Sequence, residues 1–225
     1  MDEILLKPLQ LCPIFHGMPV IEIEKALDAV GYRIVTFEKD DIYALIGHPC
    51  RCLDIILKGV MTASMLGPSG KHVKVASLKS GNVVAPAFIF AKNNSMPVMV
   101  EAHTKVEILR ISRDDFHLMI NDNEKMRWNF ISMLSNTDAF LAGKLYTLSI
   151  LNVREKLAKM FLEMAKEQGS LTFTLDKSRQ EIADEFGIQK FSVIRQLTDF
   201  QESGAIKVVG KIVTILDPQL LKVYS

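Results

Sequence analysis

The side chains with the most evident chemistry lie in one run, Ser178-Arg-Gln-Glu-Ile-Ala-Asp-Glu-Phe-Gly-Ile-Gln-Lys-Phe-Ser-Val-Ile-Arg-Gln-Leu197. Within it, Gln189, Lys190, Phe191, Ser192 and Arg195 combine hydrogen-bonding groups, two cations and an aromatic ring on a short stretch of chain. A helix that reads DNA meets the major groove with an exposed N-terminal part of this kind. Other reactive types are sparse. Cys50-x-Cys52 has no second cysteine pair or nearby histidine to complete a tetrahedral metal site, so Cys12, Cys50 and Cys52 read as ordinary reduced thiols. Nucleophile elbows and phosphate loops are absent.

The elements that must present these residues follow from spacing. Ile182, Ala183 and Phe186 put an apolar face on a short helix, and Ala183 is small enough for another helix to cross closely. Gly187 supplies the tight turn between crossing helices, and Ile188 plugs the junction. Val193 and Leu197, four apart, point back at the first helix and leave residues 189–192 and Arg195 outside. Next comes Gly204-Ala-Ile-Lys-Val-Val-Gly-Lys-Ile-Val-Thr-Ile-Leu216, two β-branched runs flanking Gly210-Lys211, a two-residue hairpin signal. A helix-turn-helix followed by a hairpin is a winged helix. Helix-turn-helix spacing alone occurs in many α-hairpins, and winged helices also serve as protein-interaction modules.

The rest of the chain divides into stretches of different period. Residues 1–30 read as short helices broken by Pro8, Pro13 and Pro19, with Gly31 as a stop. From Tyr32 to about Arg113 the period is that of strands: residues 33–37, 53–57, 60–65, 72–76 and 97–101, separated by Gly, Pro, Asn and Asp clusters, with Gly67–Gly70 as a hairpin tip. Such short strands predict an antiparallel barrel or sandwich. Between Asn123 and Ser149 a helix of about seven turns carries Phe130, Ile131, Leu134, Leu141, Leu145 and Leu148, an apolar stripe wider than one contact needs. One side of it can cover the β domain while the other meets the same helix of a second chain; a core helix of a single chain is the alternative. Val153 to Glu167 is helical, with Leu157, Met160, Phe161 and Met164 on one face and Gly169 after it.

Composition limits the reading without directing it. The chain has 225 residues, 48% hydrophobic and 24% charged, with net charge +1; residues 151–225 hold 11 Lys/Arg against 10 Asp/Glu. A nucleic-acid partner must therefore be argued from where cations sit, not from their number. No apolar run approaches the roughly 18 to 20 residues needed to cross a bilayer. The acidic start Met1-Asp2-Glu3 is unlike a secretory signal, so a cytoplasmic location is expected, with no membrane partner.

Taken in order, the chain resembles the cyclic-AMP receptor protein / fumarate-nitrate regulator (CRP/FNR) family. The strongest match is Arg179-Gln-Glu-Ile-Ala through Gly187, then Ser192-Val193 and Arg195, ending in Glu202-x-Gly204-x-Ile206. Cys12-Pro-Ile-Phe15, Ile56-Leu-Lys-Gly59 and Leu78-x-x-Gly81 match the sensor half more loosely. The resemblance implies an α+β architecture: an antiparallel, jelly-roll-like β-roll of the cyclic-nucleotide-binding kind over residues 1–122, a dimerisation helix over 123–150 and a winged helix over 151–225. It implies a dimeric DNA-binding transcription regulator, not an enzyme, acting on an inverted repeat in double-stranded DNA, with RNA polymerase as a further partner. Arg195 and Lys190 would reach DNA, Arg195 toward a guanine edge, while Gln189 bonds adenine and Phe191 packs on a thymine methyl. Arg179, Gln180 and Lys211 would take phosphates. Where the family commonly has Ser-Arg-Glu-Thr, this chain has Gln189-Lys190-Phe191-Ser192, which removes an acceptor for cytosine and with it the usual operator.

The sensor half departs from the family. Its cyclic-nucleotide signature, a Gly-Glu pair followed about ten residues later by Arg and a hydroxyl residue, pairs the Glu with ribose and the Arg with phosphate. Here those positions are Ala85-Pro86 and Met96-Pro97, and the base-contacting pair on the long helix is Leu141-Ala142. The window 81–100 contains no Arg and no Glu, and Lys92 is its one cation. Burying a phosphodiester beside Met96 would cost several kcal/mol, so cyclic AMP is not expected to bind, and the effector is unknown or absent. Three cysteines are too few for an iron–sulfur sensor. His16, His48, His72, His103 and His117 are scattered and read as surface or strand residues, so no cofactor or metal is expected. The competing enzyme reading, a cupin-like metal site, lacks a His-x-His pair.

Overall fold

A computed structural model describes residues 3–66 and 72–223; the Gly67–Gly70 tip lies outside them. The chain forms two compact units divided after Thr137. In the first, α1 (Glu3–Leu11), a 3-10 turn at Pro13–Phe15 and α2 (Val20–Asp28) precede the strands. Pro13 and Pro19 act as punctuation, the first opening the turn and the second capping α2. Pro8 does not: it sits inside α1. The neighbouring Leu9 is fully buried, and packing of α1 on the sheet outweighs the missing donor.

Two antiparallel four-stranded sheets form the β-roll. One has the order β1-β8-β3-β6, built from Tyr32–Phe37, Val106–Ser112, Cys52–Lys58 and Val83–Val84. The other has the order β2-β7-β4-β5, built from Ile42–Ala44, Met99–Ala102, Met61–Leu66 and His72–Leu78. The strand expected from residue 97 begins only at Met99, after Pro97, which has no N–H for a ladder. Gly59, between β3 and β4, has φ +89°, and a Cβ there would stand 2.2 Å from the Lys105 carbonyl oxygen, so glycine is required.

The strands end in α3 (Arg113–Asp122), a helix the residue pattern did not suggest. Ser112 caps it, its Oγ accepting from the Asp115 N–H at 3.1 Å. The long helix α4 runs from Glu124 to Ser149. Its first turns belong to the roll: Met126 and Phe130 are buried, and Phe130 meets Phe116 and Phe90 edge-on. The Asn129 amide donates to the carbonyls of Ile14 and His16, both at 2.9 Å, tying α4 to the N-terminal turn.

In the second unit, α5 (Val153–Glu167) starts with a capping box between Asn152 and Glu155. β9 (Thr172–Thr174), α6 (Arg179–Phe186), α7 (Lys190–Glu202), β10 (Ile206–Val209), β11 (Ile212–Ile215) and α8 (Pro218–Lys222) follow. The wing is a three-stranded antiparallel sheet, order β10-β11-β9, rather than the two-stranded hairpin expected. Phe161 of α5, Phe200 of α7 and Phe173 of β9 share its core.

Candidate nucleic-acid interface

The interface is assembled by two helix starts and a turn. Ser178 caps α6: its Oγ accepts from the Glu181 N–H at 3.2 Å, and Glu181 accepts from the Ser178 N–H at 2.7 Å. That backbone hydrogen bond, helped by Lys211 and Lys177, holds the Glu181 carboxyl below the usual range. Gly187 ends α6 with φ +64°, a left-handed conformation that other residues adopt only at a cost. The chain then re-enters helix at Gln189, which caps α7 through its backbone alone, leaving its side chain exposed.

From there α7 shows two faces. Val193 and Leu197 are buried in one core with Ile182 and Ala183, as their spacing predicts, and Phe200 is buried with them. Lys190, Phe191 and Arg195 face outward, Phe191 with 73% of its surface exposed; Ser192 is half-buried. No hydrogen bond or ion pair among the described residues engages the side chains of Gln189, Lys190 or Arg195. Two uncommitted cations and an amide therefore stand on one edge.

The remaining predicted DNA contacts divide. Arg179 Nη2 donates to the Gly210 carbonyl at 3.1 Å, tying the first turn of α6 to the wing turn that carries the exposed Lys211. Gln180 is exposed but bonded within its helix, its Nε2 to Asp184 Oδ1 at 3.2 Å.

The six residues predicted for an effector pocket have different settings. Ala85 and Pro86 are half-buried, and Ala85 has φ +47°, left-handed backbone that glycine would adopt freely. Met96 is 3% exposed; its N–H donates to the His48 carbonyl at 2.7 Å, and Pro97 is exposed. Cys50 connects the two ends of this loop, its N–H bonded to the Asn94 carbonyl and its thiol facing that of Ala85. Leu141 and Ala142 belong to the second unit and are exposed.

One cluster escaped the sequence reading. Asp54, 0% exposed, takes Arg110 through both oxygens, Nε at 2.9 and 3.0 Å and Nη2 at 2.5 Å, and accepts from the Tyr43 hydroxyl at 2.6 Å. Asp54 and Arg110 are directly opposed on β3 and β8, and Tyr43 reaches them from the other sheet, so the group lies inside the roll. Hydrogen bonding to Asp54 holds Arg110 firmly protonated, and burial with the Asp54 charge pushes Tyr43 well above its ordinary value. The signal was available: a charge in the middle of Leu53-Asp54-Ile55-Ile56-Leu57 must be paired when that strand is buried. Burial pushes Cys12 up to about 12, and burial together with Asp54 raises Cys50 and Cys52, leaving all three as poor nucleophiles. Among the described residues no group of three or more His, Cys, Asp or Glu could hold a metal ion, and no helix is long and apolar enough to cross a membrane.

Comparison with known proteins follows this division. Residues 34–123 match the cyclic nucleotide-binding domain and residues 155–224 the Crp-like helix-turn-helix domain. The cAMP-activated global transcriptional regulator Vfr of Pseudomonas aeruginosa is 24% identical, over 90% of this chain and 97% of its own. A CRP-like cAMP-activated global transcriptional regulator of Mycobacterium tuberculosis is 26% identical, over 98% of each. Among solved structures, a variant of CooA from Carboxydothermus hydrogenoformans shares the fold with TM-score 0.66 at 18% identity, covering 95% of this chain and 94% of that one.

Proposed function

The chain belongs to the CRP/FNR family of transcription regulators, and from that premise we propose that it is a homodimer reading an inverted repeat in double-stranded DNA without responding to cyclic AMP. It is a DNA-binding regulator and not an enzyme. The observation that carries the finer reading is the outward edge of α7: Gln189, Lys190 and Arg195 exposed and, among the described residues, unbonded above a buried Val193–Leu197 face. Arg195 reads a guanine, Gln189 an adenine, and Phe191 packs on a thymine methyl. Ser192 lines the same edge. Lys190, Arg179, Gln180 and Lys211 contact phosphates. The second chain joins through residues 123–150, where Leu141, Leu145 and Leu148 are exposed. Residues 1–122 form the sensing part and 151–225 the reading part. The molecule works in the cytoplasm, with RNA polymerase as its partner.

Two relatives carry cAMP activation in their names, but three features support a different sensor here. The loop at 81–100 supplies neither Arg nor Glu. Met96 is buried among core residues where a phosphate partner would stand. The guanidinium inside the roll, on Arg110, is already held by Asp54.

Selection of bound sequences from a random DNA pool, with and without cell extract, tests the reading. An enriched inverted repeat with half-sites about one helical turn apart is expected. Failure to enrich any sequence, or enrichment of a single asymmetric site, overturns it. Titration calorimetry with cyclic AMP is expected to give no heat of binding; a saturable heat would overturn the sensor claim.

A further inference from the structure

The outward edge of α7 carries large apolar side chains that the core does not use. Phe191 is 73% exposed and Ile194 43%, whereas Val193, Leu197 and Phe200 supply the buried face of the same helix. Helix propensity does not account for them, since phenylalanine and the β-branched isoleucine are poorer helix formers than alanine, lysine or glutamine. At three residues apart they are neighbours on the helix surface. Each also has a cation four residues away, Lys190 for Ile194 and Arg195 for Phe191, so the four side chains make one patch. Neither cation pairs with a carboxylate among the described residues. No acidic residue lies in the first turn of α7, and Asp199 is a further turn beyond Arg195. Apolar surface flanked by such cations suits a polyanion that also offers apolar groups.

Duplex DNA narrows those groups to one. In the major groove the base edges present hydrogen-bond donors and acceptors, and the apolar group among them is the C5 methyl of thymine. A side chain without a polar atom gains nothing from the other edges and leaves their donors and acceptors unmet. Three residues of helix advance by about 4.5 Å, against about 3.4 Å between stacked bases, so Phe191 and Ile194 reach base pairs one or two steps apart. We propose that Phe191 and Ile194 together read two pyrimidine C5 methyl groups in each half-site, which makes the protein responsive to cytosine methylation at those positions. 5-Methylcytosine carries its methyl where thymine does. With no carboxylate in the first turn of α7 to accept from the cytosine amino group, the methyl is what a cytosine there can offer this pair. This role rests on α7 entering the major groove, and it adds Ile194 as a second reader beside Phe191.

The test uses the full chain and the inverted repeat enriched by selection, synthesised with deoxyuridine in place of thymidine at one position of each half-site at a time. Deoxyuridine keeps the hydrogen-bonding groups and removes only the methyl. Fluorescence-anisotropy titration is expected to show two positions per half-site at which affinity falls by about three- to fivefold for each methyl removed. At those positions cytosine should bind more weakly than thymine, with 5-methylcytosine between them. Phe191→Ala should abolish the deoxyuridine effect at one position and Ile194→Ala at the other. Both side chains lie outside the core, so the circular dichroism of each variant should match wild type. Indifference to deoxyuridine at every position, an effect at one position only, survival of both effects in Ile194→Ala, or equal binding of cytosine and 5-methylcytosine overturns the proposal. A selection that enriches no sequence removes the DNA reading and the methyl readers with it; enrichment followed by indifference to the methyls removes the methyl readers alone.

Discussion

Arg195 is the residue on which we propose that sequence preference turns, because of its setting. Its guanidinium is exposed, bonded to nothing among the described residues, and carried on a helix whose opposite face is fixed by Val193 and Leu197. Arg195→Ala should therefore cost about 1–3 kcal/mol on the selected sequence and relax preference at one base pair, measured by titration against a panel of single-base variants. Equal loss on selected and random DNA would make Arg195 a phosphate contact instead. Ala85 offers a prediction in the stabilising direction. It holds φ +47° in front of Pro86, where an L side chain is disfavoured by about 1–2 kcal/mol, so Ala85→Gly should recover part of that in urea unfolding. A lower midpoint would show that the methyl group packs more usefully than its backbone suggests. The α7 edge and the charged cluster inside the roll differ in how they can be read from sequence. The α7 edge follows from local spacing, which any single chain displays. The Asp54–Arg110–Tyr43 group joins residues 11 and 56 positions apart, and only the pairing of β3 with β8 brings the charges together.

At the scale of elements, periodicity is legible in long helices and in short elements bounded by turn residues, such as α6, β10 and β11, and silent where a short element abuts another or depends on a distant partner. The stripes of α4, α5 and α7 extend over several turns and were visible. α3 is a helix whose start, Ser112 with Asp115 three residues on, lies directly against the end of β8, so a strand period hides its entry. β9 has three residues and gains its identity from pairing with β11, a partner about 40 residues away. Pro8 misled because the rule for proline describes isolated helices, whereas Leu9 is anchored in the core. The attachment of α6 shows a titratable link. Burial alone would raise the Glu185 carboxyl, but hydrogen bonds from Lys177 and Lys144 outweigh it and hold it below the usual range. A carboxyl so lowered stabilises the fold above its unfolded value, about 4.3, and that contribution is lost as pH falls through the folded value. Thermal midpoints should therefore drop as pH is taken below about 4.3, and drop less steeply in Glu185→Gln. Parallel curves for the two proteins would mean that the Lys177–Glu185–Lys144 link contributes nothing to stability.

For the molecule as a whole, the apolar seam on α4 is what would turn one reading head into two. Ile131, Leu134, Leu141, Leu145 and Leu148 follow the alternating three-and-four spacing of a coiled-coil seam, with Leu145 at 66% exposure in the single chain. Asp138 occupies the one position of that series that is not apolar. In a parallel two-fold pair, residues at such positions face their own copies, so two Asp138 carboxylates would meet and weaken the association. The seam therefore predicts opposite effects from neighbouring substitutions. Asp138→Leu should tighten the dimer, and Leu145→Glu, placing two more carboxylates in the same seam, should break it, both measured by sedimentation equilibrium. DNA affinity should follow the dimer: a monomer keeps one edge of Gln189, Lys190 and Arg195 but loses the second contact made at high effective concentration, and with it about a hundredfold or more in affinity. If Leu145→Glu remained dimeric, or became monomeric and still bound an inverted repeat with wild-type affinity, α4 would be a covering helix of a single chain and the two-headed reading would fall.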